Sequence, residues 1–497
     1  MADSFIEIHD DLIRSIGSLA DELSLEIFLV GGFVRDSIMG KQSKDIDITV
    51  VGDGVTFARV VHKRLRTSRP VEFEAFGTSR VTFHGLEIEF VGTRKEVYHP
   101  HTRKPLVTIG TIEEDLMRRD FTVNAIAVSL NRKTFGQILD PLGGKSDIEA
   151  GILKTPKDPF TTFSEDPLRM MRACRFASQL RFAPTPEVSA AISAMADRIT
   201  IVSMERVRDE IVKILSSRKP SIGFSMMREH GLLKHVFSEL DRLAGVDQRS
   251  EEYPEGPRNF HHKDVFAHTL TVVDNVARVS DDLWLRMSAL LHDIAKPDTK
   301  AFVKGTGWTF HGHAELGARR VKNIFRNLRL PFERLHFVEK LVALHLRPLS
   351  LVREDVSDSA IRRLLVEAGE DIDALMVLCR ADITSKNPFL VRKYLENYER
   401  LLEKMRAVEE HDRLRNWQPP IRGDEIMALC NIPSGVAVGV LKQRVEDAIL
   451  DGVIENTHEA AVAYLLSIKD EVLRDPKPVK PPSRRSRLMA LPDRLKQ

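Results

Sequence analysis

Cysteine is scarce in this chain of 497 residues: Cys174, Cys379 and Cys430 stand too far apart for a disulfide framework or a CxxC zinc pattern. A reducing cytoplasm is the expected compartment. Long apolar runs are also missing. None approaches the ~18 residues that a bilayer crossing needs, and the acidic start "MADSFIEIHDDLIRS" lacks a basic-then-apolar signal pattern. A soluble protein without a membrane partner is expected. There is little excess charge, since 74 basic residues against 72 acidic ones give +2. No overall basic field announces nucleic-acid binding, so any such contact must rest on local patches. The one marked patch is the C-terminus, where the residues from Pro476 onward carry seven Lys/Arg against the single acid Asp493. It reads as a disordered basic arm, either solubilising or RNA-contacting. No internal repeat or long low-complexity stretch precedes it.

What is present has ordinary globular composition, 42% hydrophobic and 29% charged, and the length suits about three domains. The first ~150 residues set a helical pattern (Phe5 to Leu23) against short β-rich runs, "EIFLVGG", "DIDITVV", "RVTFHG" and "LEIEFVG". They predict a small mixed sheet with a covering helix. From about residue 160 helical spacing dominates, with breaks expected at 249–264 and 415–423.

In "DIDITVV", Asp45 and Asp47 lie two apart, so a strand points both carboxylates to one face and Ile46 and Ile48 to the other. Like charges that close repel unless a cation lies between them, and hard oxygens suit Mg²⁺ together with substrate phosphates. An exposed strand with two solvated aspartates is the plainer alternative. Gly31-Gly32 favours the first reading, because unhindered backbone there can approach a phosphate just before the helical run "FVRDSIMG". The GxxxxGK[ST] pattern of a P-loop is absent. A second acidic strand, "LEIEFVGTR", offers Glu87 and Glu89 on one face as a third carboxylate for two-metal chemistry.

The stretch "LVGGFVRDSIMGKQSKDIDITVVG" (29 to 52) resembles the signature of the nucleotidyltransferase branch that holds bacterial CCA-adding enzymes and bacterial poly(A) polymerases. "EEDLMRRDFTVNAIAVSL", "DPLGGKSDIEAGILKT" and "EDPLRMMRACRF" are similar, in order, to further motifs of that family. The resemblance implies that Asp45 and Asp47 are catalytic Mg²⁺ ligands and Glu89 the third carboxylate. It implies a nucleotide site made by Gly31, Gly32, Arg35, Arg118 and Arg119 around the triphosphate, with Asp120 and Asn124 near the sugar or shaping the site. Asp166, Arg169, Arg172 and Arg175 recur every three residues, so on one helix they form a slanting stripe. An Asp/Arg pair can imitate the edge of a pairing base, accepting from an exocyclic amine and donating to ring or carbonyl acceptors. The resemblance gives that use to Asp166 and Arg169, with Arg172 and Arg175 in support. A solvated helix with local ion pairs is the alternative that spacing alone allows.

Residues 261 to 386 are dense in histidine. His292-Asp293 with His268 and Asp382 make a mixed N/O set that suits a catalytic transition metal, although a His-Asp pair can also be a helix cap. The pattern H…HD…D resembles the HD phosphohydrolase domain. His313 and His345 resemble the added ligands of its two-metal versions, with His311 as an alternative to His313, and Mn²⁺ or Ni²⁺ as candidate metals. Residues 415–452 resemble, more loosely, the helical segment that follows the HD domain in CCA-adding enzymes, and Trp417 is expected in its core.

The expected architecture is α+β: a nucleotidyltransferase head with a small mixed sheet (1–155), then mostly α-helical regions. These are a nucleotide-selecting and RNA-binding neck (156–250), an HD domain (258–400), a helical C-terminal region (401–475) and the basic tail (476–497). The expected function is template-independent addition of C, C and A to the 3′ end of tRNA from CTP and ATP, with tRNA as partner. Poly(A) polymerisation, and an HD phosphohydrolase carrying an RNA-binding head, are the rival readings.

Overall fold

Asp10 starts the first helix by accepting hydrogen bonds from the backbone N–H of Leu12 (2.8 Å) and Ile13 (3.2 Å). That helix, α1 (Asp11–Glu22), is shorter than the run from Phe5 that the sequence predicts. The computed structural model describes residues 5–474 and 476, except 7, 9, 44, 74–76, 98–105, 247–263, 305–306, 353–356, 385–387 and 413–418. Trp417, most of the 249–264 break and the tail beyond Pro476 lie outside the described residues. The chain divides into two units, Met1–Ala244 with Ile324–Leu330, and Gly245–Asn323 with Pro331–Gln497.

In the first unit, α1 is followed by β1 (Ile27–Val30), α2 (Gly32–Ile38), β2 (Asp45–Val50), α3 (Gly54–Leu65), β3 (Val71–Phe73), β4 (Thr78–Phe83) and β5 (Leu86–Gly92). The small hairpin β6 (Lys95–Val97) and β7 (Leu106–Thr108) leads to α4 (Ile112–Met117), β8 (Ala127–Ser129) and β9 (Ile138–Leu139). Seven strands form one mixed sheet in the order β3-β4-β5-β2-β1-β8-β9, with β2 and β5 parallel at its centre. Their register pairs Asp45 with Glu87 and Asp47 with Glu89. Between these acids, Ile46, Ile48, Ile88 and Phe90 are buried, the alternation that a one-sided sheet requires.

The DPLGG segment proves to be structural. Asp140 accepts from the N–H of Gly144 (2.7 Å) and Lys145 (2.9 Å), starting α5 (Gly144–Ala150). A Cβ on Gly144 would lie 2.2 Å from the Thr122 carbonyl oxygen and 2.8 Å from Ile126 Cγ1. Gly144→Ala should therefore cost about 3 kcal/mol through overpacking, read as a lowered urea midpoint. A midpoint equal to wild type would mean that α5 can shift away freely.

β10 (Ile152–Leu153) pairs in parallel with β11 (Ala183–Pro184), and between them run α6 (Pro159–Glu165) and α7 (Leu168–Leu180). The unit continues through α8 (Pro186–Met195), α9 (Met204–Leu215), α10 (Pro220–Glu229) and the short α11 (Leu233–Val236) and α12 (Ser238–Asp241). The central helix α7 packs on α9 and α10, burying Met170, Met171, Cys174 and Phe176.

The second unit begins with α13 (Val265–Ala277), α14 (Leu283–Leu291), the short α15 (Lys296–Thr299) and a hairpin of β12 (Ala301–Val303) and β13 (Gly307–Thr309). It continues with α16 (His313–Asn327), α17 (Leu335–Leu344), α18 (Arg347–Leu351), α19 (Asp358–Ala368), α20 (Ile372–Ala381) and α21 (Pro388–Asp412). Here α14 packs on α13, α17 and α20. The boundary expected at residue 400 falls inside α21, which runs through it as one helix. Last come α22 (Gly423–Cys430), α23 (Val436–Leu450) and α24 (His458–Arg474), with their own core of Ile426, Leu441, Val445 and Leu465. No helix among the described residues is long and apolar enough to cross a membrane.

Candidate active site and metal centre

The alternation along β2 and β5 puts Asp45, Asp47, Glu87 and Glu89 on the face opposite the buried Ile46, Ile48, Ile88 and Phe90. Glu87 is exposed and takes the Arg80 guanidinium at 3.2 Å, so Glu89, half-buried beside Asp47, is the inward one of the pair. Next to Asp47 on β1 is Val30, and Gly31 follows at φ 71°. A Cβ on Gly31 would stand 3.1 Å from Asp47 Oδ2 and 3.4 Å from Arg119 Nη1, a tight fit, and the left-handed backbone angle itself disfavours any side chain there. Burial raises the pKa of Asp47, with Arg119 opposing and Asp45 adding to it; burial and then Asp47 raise that of Glu89. Carboxylates sharing one face in this way form a hard-oxygen set whose repulsion a divalent cation would relieve. Among the described residues, three ligand atoms come within 4.8 Å of one another in the histidine clusters described below and not in this trio.

A capping box, Thr111 with Glu114, starts α4 and aligns Asp115 with Arg118 and Arg119, three and four residues on. Asp115 is fully buried and accepts from Arg118 Nε (2.9 Å), Arg118 Nη2 (2.6 Å) and Arg119 Nη2 (3.1 Å). One carboxylate thus orients both guanidiniums. Arg35 donates to Asn124 Oδ1 (2.7 Å), Asn124 to Asp120 Oδ1 (3.1 Å), and Arg172 Nε to Asp120 Oδ2 (2.6 Å). The Phe176 ring lies under three cations, Arg175 at 4.2 Å, Arg172 at 5.4 Å and Arg35 at 5.5 Å. Arg175 pairs with the buried Glu210 at 3.1 Å.

Asp120 is buried and saturated with partners. Burial by itself would raise its pKa, but Arg172, Asn124 and the Phe121 N–H outweigh that and hold it at about 2. Its folded pKa is below the unfolded one, so the stabilisation is present above pH ~4 and lost as pH falls toward 2, about 2 kcal/mol in all. Asp120→Asn should cost about 3 kcal/mol at pH 7 by leaving Arg172 unpaired. Urea midpoints should show the gap to wild type narrowing between pH 4 and 2; a gap constant over that range would rule out the charge as its origin.

The slanting stripe needs a correction. Asp166 is not on α7: it caps the end of α6 in extended conformation (φ −144°, ψ 102°), and Pro167 intervenes before the helix starts at Leu168. Proline lacks the N–H to continue α6 and starts the next helix, so only the arginines share α7. Nor do Asp166 and Arg169 pair with each other. Arg169 donates to Glu165 Oε2 (3.1 Å), the Thr162 carbonyl (3.3 Å) and the Arg118 carbonyl (2.5 Å), while Asp166 takes Arg206 from α9 (Nη2 to Oδ2, 2.8 Å). The two side chains keep their own partners.

In the second unit, α13, the turn after α14, the start of α16, the end of α17 and the end of α20 bring all six expected ligands together. His268, His292 and Asp382 form one trio; Asp293, His313 and His345 form the other. Asp293 faces both: Oδ2 lies 3.2 Å from His292 Nε2 and 3.4 Å from His268 Nε2, and Oδ1 lies 3.3 Å from His313 Nε2. Lys296 Nζ sits 2.7 Å from Asp293 Oδ2. His313, and not the exposed His311, is in the cluster.

Each imidazole is aimed by its other nitrogen. Nδ1 of His292, His313 and His345 contacts the carbonyls of Ala289 (2.8 Å), Phe310 (2.6 Å) and Val342 (2.7 Å), and Nδ1 of His268 the Thr384 hydroxyl (2.9 Å). A carbonyl only accepts, so those Nδ1 atoms carry the hydrogen and their Nε2 atoms turn inward. Nε2 atoms then face each other at 3.4 Å (His268 and His292) and 3.3 Å (His313 and His345). Burial alone would lower the pKa of His292, but Asp293 and Asp382 carry it up to about 10, whereas burial and then His292 push His345 down to about 3. The four nitrogens and two carboxylates fit divalent metal ions.

Partners not singled out in the sequence include Asp115, Glu165, Phe176, Arg206, Glu210 and Lys296. Spacing of three and four to Arg118 and Arg119 was a readable signal for Asp115. For Arg206 there was none, because it arrives from another helix.

A model of the poly A polymerase head domain matches residues 27–154, one described as a probable RNA and SrmB-binding site of polymerase A matches 181–243, and one of the HD domain matches 265–387. The multifunctional CCA protein of Chromobacterium violaceum is 33% identical over 369 residues, covering 68% of this chain and 81% of that protein. The A-adding tRNA nucleotidyltransferase of Deinococcus radiodurans is 31% identical over 441 residues, 87% of this chain and 93% of that protein. Among solved structures, the Bacillus stearothermophilus CCA-adding enzyme in complex with CTP aligns at TM-score 0.64 and 22% identity, over 93% of this chain and 98% of that one. A tRNA nucleotidyltransferase complexed with a primer tRNA and an ATP analogue aligns at TM-score 0.56 and 22% identity, over 80% and 99%.

Proposed function

Because the chain belongs to the family of CCA-adding and A-adding tRNA nucleotidyltransferases, we propose that it adds C, C and A to the 3′ end of tRNA in the cytoplasm, using CTP and ATP. The observation that carries this reading is Gly31: at φ 71° it leaves open backbone between Asp47 and the Arg119 guanidinium, where a triphosphate and its cation can both be met. Asp45 and Asp47, with Glu89 beside them, would hold the divalent ion, which would make the 3′-hydroxyl more acidic and neutralise phosphate charge. Arg119, Arg118 and Arg35 face the phosphates in the orientations that Asp115 and Asn124 impose. Asp166 accepts the exocyclic amine of cytosine or adenine, and Arg169 donates to a ring or carbonyl acceptor with the N–H groups that Glu165, Thr162 and Arg118 leave. The 3′-hydroxyl attacks the α-phosphorus, a phosphodiester forms, and pyrophosphate leaves.

The test is extension of a tRNA transcript lacking its terminal CCA. Two residues with CTP and a third only when ATP joins is the expected pattern, and a long tail from ATP alone would overturn it in favour of poly(A) synthesis. A narrower reading, addition of the final A alone, is favoured by the A-adding relative matching 87% of this chain. It would show as extension of a transcript ending in CC and no extension with CTP. For the second unit, the reading is a two-metal centre for phosphoester hydrolysis, supported by the inward Nε2 atoms and the shared Asp293.

A further inference from the structure

Asp166 must read an amine with whatever acceptor capacity its neighbours leave. Its Oδ1 already accepts from the Leu168 N–H (3.2 Å) and Arg206 Nη1 (3.4 Å), and its Oδ2 from Arg206 Nη2 (2.8 Å). A carboxylate offers about four lone-pair sites, so three are filled and one remains, on Oδ2. The two prongs of Arg206 and the helix N–H fix both the rotamer and the direction of that last lone pair. A guanidinium only donates, so the group it clamps is left to act as an acceptor.

We propose that Arg206 is a positioning residue for nucleotide choice: by clamping Asp166 it leaves one outward acceptor, which admits cytosine and adenine and rejects uracil and guanine. The inference rests on the reading above that Asp166 faces the incoming base. Cytosine and adenine present N4 and N6 amino groups, whereas uracil and guanine carry the O4 and O6 carbonyls, which would set lone pair against lone pair. Without the clamp the carboxylate can rotate away from a carbonyl, and the mismatch costs less.

A purely structural role fits poorly. The pair is half in solvent, with Arg206 53% and Asp166 30% exposed, and such pairs contribute little to stability. Arg206 contacts the proposed reader from α9, a helix that carries none of the head's carboxylates or phosphate-facing arginines.

The experiment measures addition of single nucleotides by full-length wild type, Arg206→Ala and Arg206→Lys to tRNA transcripts with CTP, ATP, UTP and GTP separately, with thermal unfolding alongside. Arg206→Ala should raise the rate with UTP relative to CTP by about tenfold or more and raise KM for CTP, with an unchanged melting temperature. Arg206→Lys, which keeps the charge but not the two prongs, should fall between. An equal loss with all four nucleotides, or unchanged ratios in both variants, would overturn the proposal. If Arg206→Ala does not fold, the ratio in Arg206→Lys decides. A wild type that adds neither C nor A would instead overturn the reading of the head itself, before Arg206 is reached.

Discussion

Asp47→Asn should lower the rate of nucleotide addition by roughly 10³-fold or more, about 4 kcal/mol of transition-state stabilisation, and leave the fold at least as stable as wild type. The two halves have one cause. Asp47 lies between Asp45 on its own strand and Glu89 on the parallel neighbour, and burial makes its charge costly in the folded chain. An amide of the same shape removes that repulsion and with it the ligand for the cation. Single-turnover extension in Mg²⁺ and the melting temperature test both halves together. Activity within tenfold of wild type would remove Asp47 from the metal site, and a large fall in melting temperature would make the loss of activity a folding effect.

The second large effect is expected at Asp293. Its two oxygens face different histidine trios, so Asp293→Asn should weaken both at once, whereas His345→Ala should disturb only the trio with His313. Dialysis of the full chain against Mn²⁺, followed by metal analysis, should show Asp293→Asn holding about two ions per chain fewer than wild type. A loss of one ion only would mean that Asp293 serves a single trio. CCA addition should be unchanged in this variant, because every residue assigned to that reaction lies in the first unit.

Period-two patterns made much of this legible from the residues alone. "DIDITVV" and "LEIEFVG" state which side chains share a face, and the strands obey; the pattern left Glu87 and Glu89 equal, and only the structure shows Glu89 as the less exposed of the two. The histidine set was legible for another reason: metal-ligand residue types are rare enough that five segments carrying them point to one place, and the structure joins all six. The stripe of Asp166 with three arginines failed because equal spacing presumes one continuous helix, and Pro167 divides it. Asp120 and Asn124 were read as groups near the sugar or shaping the site; their partners, Arg35 and Arg172, come from 85 or more residues and 48 or more residues away and carry no local signal. Long-range polar pairing is decided by how helices pack, which the pattern along one helix does not state.

The pairing of Asp45 with Glu87 and Asp47 with Glu89 has a consequence for assembly of the sheet. A slip of one residue between β2 and β5 turns every side chain of the slipped strand to the opposite face. For either strand, that exchanges two isolated core positions for two carboxylates. A mispaired sheet would have to place acids where Ile46, Ile48, Ile88 and Phe90 now pack, and no parallel arrangement offset by one can close that core. The four acids therefore act as a ruler for the strands, and a chain that has closed its central sheet has already set its carboxylates in line.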